Sequence, residues 1–187
     1  AGVYGHSGAD DAAFDAALIA KHLTNFSILL KWTREDEHCW EPYGSAMQCN
    51  LQASVNSNGE ITSWSHETFS DTFLTRPVIG KDPGSRLLST HYLKESKPWP
   101  VTPPMLTVHG GIHRNIEPIY NFPSPRLVKH RVYDLPLRTS ALRALGAFGN
   151  IFAIESMMDE LAEALKLDPF HFRQKHLNDE QGIQTLI

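Results

Sequence analysis

The chain has 187 residues, 41% of them hydrophobic, and a formal charge of −4. That is enough for one core-bearing domain or two very small ones, without the basic excess of a nucleic-acid binder. No apolar run reaches membrane-spanning length and no signal-peptide pattern opens the chain.

The sequence starts at Ala1 and is glycine-rich from the outset, so a fragment, a mature chain or a partial stretch of a longer protein is expected. Ser7 and Asp10 have the spacing of a capping box, which predicts a helix from about Gly8 to Leu23. Ala13, Ala17 and Ala20 would give that helix a smooth face for packing on a sheet. Thr24 and Asn25 break the pattern, and the branched, apolar run from Phe26 to Trp32 reads as a buried strand. Met47 to Val55 alternates apolar and polar residues with period two. The turn residues Asn56-Ser57-Asn58-Gly59 follow, and Ile61 to Phe73 returns, which predicts a hairpin. A long excursion runs from about Arg76 to Pro104, a length that compact domains keep for function. Arg126 to Asp134 reads as another strand.

From Asn150 onward, Ile151, Ile154, Met158, Leu161, Ala162 and Leu165 fall on one helical stripe. Asp168 then caps a shorter helix with Pro169 in its first turn, ending near Asn178. These elements specify an α+β fold, a mixed β-sheet with helices packed on one side. Three stretches follow in order: helix plus hairpin over 1–75, a long connection over 76–125, and strand, glycine loop and C-terminal helices over 126–187.

Cys39 and Cys49 are the only cysteines. They cannot furnish a four-cysteine zinc or iron–sulfur site, and both read as small buried side chains. Two glycine-bearing segments, 2–8 and 146–149, lead into helices. Helix entrances offer unpaired amides and the positive end of a dipole to anions. The pair, with Arg143 as a bidentate donor, offers a grip for one polyanion such as a pyrophosphate. Glu155 lies on the interior side of its helix, where a carboxylate must be partnered. It reads as a structural anchor for Arg143 or a loop amide in preference to an acid/base group. Among the ten histidines, the 109/113 and 171/176 pairs lack metal-ligand spacing and read as solvated or hydrogen-bonded. Trp40, Trp64 and Trp99 read as packing residues, and no hydrolase, dinucleotide or P-loop signature occurs.

Five separated elements, in consistent order over nearly the whole chain, resemble the large subunit of the xanthine dehydrogenase/aldehyde oxidase family. They are Gly2-Val3-Tyr4-Gly5, the Arg34-Glu35-Asp36-Glu37 element, Tyr120-Asn121-Phe122-Pro123, the Arg143 loop with Glu155 and Met158-Asp159-Glu160-Leu161-Ala162 on its helix, and Asp168-Pro169-Phe170-His171-Phe172-Arg173. The likeness is nearest to the bacterial branch that hydroxylates N-heteroaromatics such as nicotinate or isoquinoline, or oxidises aldehydes. It implies a molybdenum–molybdopterin cofactor, usually in its cytosine dinucleotide form. Water would supply the oxygen and electrons would leave through [2Fe-2S] clusters on a small partner subunit. By the same resemblance Tyr4, Gly5, Arg143, Ala144, Leu145 and Gly146 contact the cofactor. Leu145 stands where xanthine-type members have phenylalanine, and Ala144 replaces a glycine, which argues against purine substrates.

The resemblance assigns no catalytic residue to this chain. The family's base glutamate belongs to a G-x-G-E element not found before Ile187, and Glu155 matches a helix position instead. The expected partners are the remainder of the large subunit, the iron–sulfur subunit and a small heteroaromatic or aldehyde, with no nucleic acid and no membrane span. Related enzymes occur in both bacterial cytoplasm and periplasm. The competing reading is a noncatalytic anion- or cofactor-binding or assembly module.

Overall fold

A computed structural model describes residues 8–71, 86–96, 98, 104–107 and 111–177. The fold is α+β and, among the described residues, comprises a three-stranded mixed sheet and four α-helices. The chain forms two interleaved compact units. One comprises 1–45, 72–104 and 134–143, the other 46–71, 105–133 and 144–187.

In the first unit, helix α1 (Asp11–His22) starts later than its capping pattern suggests. Ser7 lies outside the described residues, and Asp10 is the N-cap without a side-chain capping bond. The hub of this unit is Asp11, the first helical residue and 2% exposed. Its carboxylate accepts two bonds from the Arg138 guanidinium, at 3.1 and 2.5 Å, and one from the Leu88 amide at 2.8 Å. Ser89 donates to Asp15 one turn on, so α1 sits on the 3₁₀ turn Leu88–Tyr92. Ala13, Ala17 and Ala20 are exposed and form no packing face.

The run from Phe26 to Trp32 forms no strand. Leu29 is 95% exposed, and without an adjacent edge the run's backbone groups have no ladder to join. Helix α2 (Arg34–Trp40) follows with a complete capping box. The Asp36 carboxylate accepts from the Thr33 amide and hydroxyl at 2.9 and 2.8 Å, and the Thr33 hydroxyl accepts from the Asp36 amide at 3.2 Å. The Thr33 backbone bond, then its hydroxyl, holds the Asp36 carboxyl below its ordinary range. Trp40 is exposed and lines a shallow hollow of about 510 Å³ with Trp32 and Tyr92. It is not the packing residue expected. Cys39 is exposed and Cys49 half-buried, both as free thiols. Trp99 and most of the long excursion lie outside the described residues.

In the second unit the hairpin forms as predicted. Strand β1 (Gln48–Val55) pairs antiparallel with β2 (Ile61–Ser70). The Asn56 side chain closes the turn by accepting the Asn58 and Glu60 amides, both at 3.0 Å, while Gly59 takes φ +73°. Strand β3 (Arg126–Arg131) joins β2 in parallel, which makes the sheet mixed. Cys49, Leu51 and Ala53 share a face with Thr68, His66 and Trp64, their partners in register.

Helix α3 (Ala147–Ala164) covers that face. Its buried row, Asn150, Ile154, Met158 and Ala162, steps every four residues. The row thus begins at Asn150, with Ile151 at its margin. Helix α4 (Pro169–Lys175) completes the layer, its Asp168 cap accepting the Phe170 and His171 amides at 2.9 and 3.0 Å. Trp64 stacks on Phe122, ring centroids 4.5 Å apart, at the centre of this core. His176 closes the end. Its Nδ1 lies 2.8 Å from the Phe172 carbonyl, and its Nε2 accepts the Ile61 amide at 3.1 Å.

Burial makes His66 sensitive to acid. It is fully buried, and neither ring nitrogen reaches a partner in hydrogen-bonding geometry. Desolvation pulls its pKa from 6.5 to about 4, and the Ile116 backbone offsets this only in part. Above pH 6.5 the ring is neutral whether folded or unfolded and contributes no pH dependence. Between 6.5 and 4 only the unfolded chain takes up the proton, so stability falls with pH, by roughly 2 kcal/mol at pH 5. Equilibrium denaturation at pH 7 and pH 5 should show this loss shrinking by that amount in His66→Leu. An equal loss in both proteins would exclude His66 as the source.

Candidate functional site

The entrance of α3 carries two unusual residues in succession. Ala144 and Leu145 both adopt left-handed backbone conformations, with φ +75° and +53°, although neither is glycine. Such conformations cost of order 1–3 kcal/mol each and persist where the surroundings impose them, often at binding sites. Gly146 is the N-cap of α3, and no side chain caps it. The turn closes on its own backbone. The Ala147 amide donates to the Ala144 carbonyl at 3.0 Å, and the Phe148 amide to that of Leu145 at 3.4 Å. Two of the amides expected to face an anion are therefore already engaged within the turn.

Arg143 and Ala144 are exposed and Leu145 is half-buried. Gly146 is buried, in a right-handed conformation that any residue adopts. Its lack of a side chain is explained by space, because a Cβ there would lie 2.4 Å from the Ile112 carbonyl oxygen and 2.5 Å from that of Gly111.

The segment 111–114 that presses on Gly146 is held from two sides. The fully buried Asn150 side chain donates through Nδ2 to the carbonyls of Ile112, at 2.8 Å, and Arg114, at 3.0 Å. Its Oδ1 accepts from Cys49 Sγ at 3.7 Å, and that sulfur lies 3.5 Å from Thr68 Oγ1. On the sheet side, Lys129 Nζ donates to the Met105 carbonyl and to His113 Nδ1, both at 3.0 Å. Burial, then the Lys129 charge, pulls the His113 pKa below its ordinary value, so Nδ1 stays a neutral acceptor. His109 lies outside the described residues. Among those described, no three His, Cys, Asp or Glu side chains are grouped to hold a metal ion.

Glu155 is an anchor, and its partners are Tyr120 and Arg173. The Tyr120 hydroxyl donates to both carboxylate oxygens, at 2.9 and 3.1 Å, and Arg173 Nε donates to Oε2 at 2.9 Å. Burial, followed by the Glu155 charge, raises the Tyr120 pKa well above its ordinary value, so the phenol stays protonated as the donor. Four of the five elements singled out in the sequence are described, and three of them meet here. Tyr120 of the third and Arg173 of the last converge on the α3 glutamate. The Arg34–Glu37 element forms α2 in the first unit. Tyr4 and Gly5 lie outside the described residues. Sequence reading missed Asn150, which it took only as the start of the helix. The sole hint was a polar residue four before Ile154 on the buried row.

The comparisons with known proteins agree with one another. Residues 101–177 match the molybdopterin cofactor-binding domain family. Over 186 residues, 100% of this chain and 14% of the relative, the sequence is 33% identical to a nicotinate dehydrogenase subunit from Pseudomonas putida. It is 27% identical over 171 residues to the beta subunit of isoquinoline 1-oxidoreductase from Brevundimonas diminuta, covering 89% of this chain and 19% of that protein. The chain thus spans less than a fifth of either curated relative. Among solved structures, aldehyde oxidoreductase from Desulfovibrio gigas shares the fold with a TM-score of 0.52, over 81% of this chain and 14% of the other, at 19% identity. Among the described residues, no helix is long and apolar enough to cross a membrane.

Proposed function

We propose that this chain carries part of a molybdopterin cofactor-binding domain and is one portion of the large subunit of a molybdenum hydroxylase. The reaction is oxidative hydroxylation of an N-heteroaromatic or an aldehyde with water as the oxygen source. The observation that carries this reading is the likeness, over the whole of this chain, to the nicotinate dehydrogenase subunit, joined to the domain match over 101–177.

The residues proposed to hold the cofactor are Tyr4, Gly5, Arg143, Ala144, Leu145 and Gly146. The chemistry of the described members fits such a group. Arg143 is an exposed residue, and its planar guanidinium is of the kind that suits phosphate. Ala144 is small and exposed on a left-handed turn, so a flat ring system can approach the backbone. Leu145 adds an aliphatic side chain where a substrate ring would pack. Gly146 admits the 111–112 carbonyls and thereby fixes the turn. When bound, the cofactor supplies the redox chemistry, while these residues orient it and its substrate. We assign it the cytosine dinucleotide form, with [2Fe-2S] clusters on a separate subunit as electron acceptors. Glu155 is held by Arg173 and Tyr120, and the catalytic base is assigned to sequence outside this chain.

Metal content and turnover test the reading. Purified alone, the chain should hold no stoichiometric molybdenum and show no dye-linked hydroxylation. The longer polypeptide assembled with its iron–sulfur subunit should show both. Turnover by the isolated chain with one molybdenum per molecule would overturn the partial-subunit reading. An assembled protein without molybdenum would overturn the enzyme reading.

A further inference from the structure

We infer that Asn150 is a positioning residue, whose buried amide clamps the 111–114 segment against the α3 entrance and so holds Ala144 and Leu145 in their left-handed conformations. The inference rests on the reading of that turn as part of the cofactor site. Two adjacent non-glycine residues at positive φ do not persist without support. No side chain caps α3, and the local backbone bonds of the turn close it without selecting its handedness. What bears on it from outside is the carbonyl edge of Gly111 and Ile112, packed so closely on Gly146 that no side chain fits between.

That edge stands where Asn150 puts it. One amide group spans the carbonyls of Ile112 and Arg114, using both of its hydrogens. Two acceptors on one side allow only one orientation of the amide, and Cys49 satisfies the remaining oxygen. The Asn150 main-chain amide also donates to the Gly146 carbonyl at 3.1 Å. A single residue thus ties the turn, the loop that supports it and β1 together.

The test uses the assembled enzyme carrying Asn150→Leu, which keeps the bulk and removes the clamp. Asn150→Ser serves as a milder variant should the first fail to fold, and Met158→Ala as a control for general core loosening. Amide hydrogen exchange should quicken about tenfold in 111–114 and 144–147 together in the Asn150 variants, with β1 and β2 unchanged. In Met158→Ala the 144–147 segment should keep its protection. Molybdenum content should fall and KM rise in the Asn150 variants more than their melting temperatures alone account for. Faster exchange confined to 111–114, or quickened equally by Met158→Ala in 144–147, would overturn the clamp. Coupled exchange with undiminished molybdenum would leave the clamp standing and overturn the cofactor reading of the turn.

Discussion

Arg173→Met should destabilise the protein by about 3 kcal/mol. The guanidinium joins α4 to α3 through several groups at once. Nε donates to the Glu155 carboxylate at 2.9 Å, Nη2 to the Glu155 carbonyl at 3.0 Å, and Nη1 to Asp159 at 2.6 Å and the Pro169 carbonyl at 3.3 Å. Only 12% of the Arg173 side chain is exposed, whereas Asp159 is 62% exposed and so contributes little through its charge. Breaking a buried pair from one side typically costs 3–5 kcal/mol. Glu155 is 36% exposed, so water can partly replace its lost partner, which places the effect at the low end. Arg173→Lys should recover less than half of the loss, because an ammonium cannot reproduce the fork that reaches two carbonyls and two carboxylates. Urea denaturation of the wild type, the two variants and Glu155→Gln checks this. A loss below about 1 kcal/mol for Arg173→Met would mean that the network is solvated and decorative.

The same network shows what was legible in the sequence. A buried-side carboxylate needs a partner, and that requirement identified Glu155 as an anchor. Its partners lie 18 and 35 residues away, and helix periodicity carries no information about contacts at that separation. The hairpin, α3 and α4 were legible because alternation, the stripe and the caps are all local signals. The 26–32 run misled for the converse reason. Its apolar content predicts burial, but burial requires a covering surface, and Leu29 has none within the described residues. At the candidate site, glycine drew attention to 146 and 149, whereas the backbone of unusual handedness belongs to Ala144 and Leu145. Their composition gives no sign of it, since the conformation is imposed by a loop more than 30 residues earlier and by the polar side chain of Asn150.

Gly146→Ala is the substitution with the largest effect expected at the α3 entrance. Conformation is not the obstacle, since φ at this position is −64°. The new methyl group would meet backbone, at 2.4 and 2.5 Å from two carbonyl oxygens and 2.8 Å from the Ile112 carbonyl carbon. No rotamer change can relieve that. Either the 111–114 segment retreats, which breaks the Asn150 amide fork, or α3 tilts off the sheet at its first turn. The cost belongs at or beyond the top of the usual overpacking range, about 3 kcal/mol or more. Gly149→Ala is the internal control. Its nearest neighbours are Met47 Sδ at 2.8 Å and Cε at 3.1 Å, on a thioether that can swing aside, while Met47 Cβ at 3.2 Å need give only by a few tenths of an ångström, so the cost should stay at about 1 kcal/mol. If the turn serves the cofactor, Gly146→Ala should also lose molybdenum at temperatures where the sheet remains folded, and Gly149→Ala should retain it. Circular dichroism melts paired with metal analysis of both variants separate the cases. Equal tolerance of alanine at the two positions would show that the 111–112 carbonyls do not press on the helix entrance, and with them would go the support for the left-handed turn.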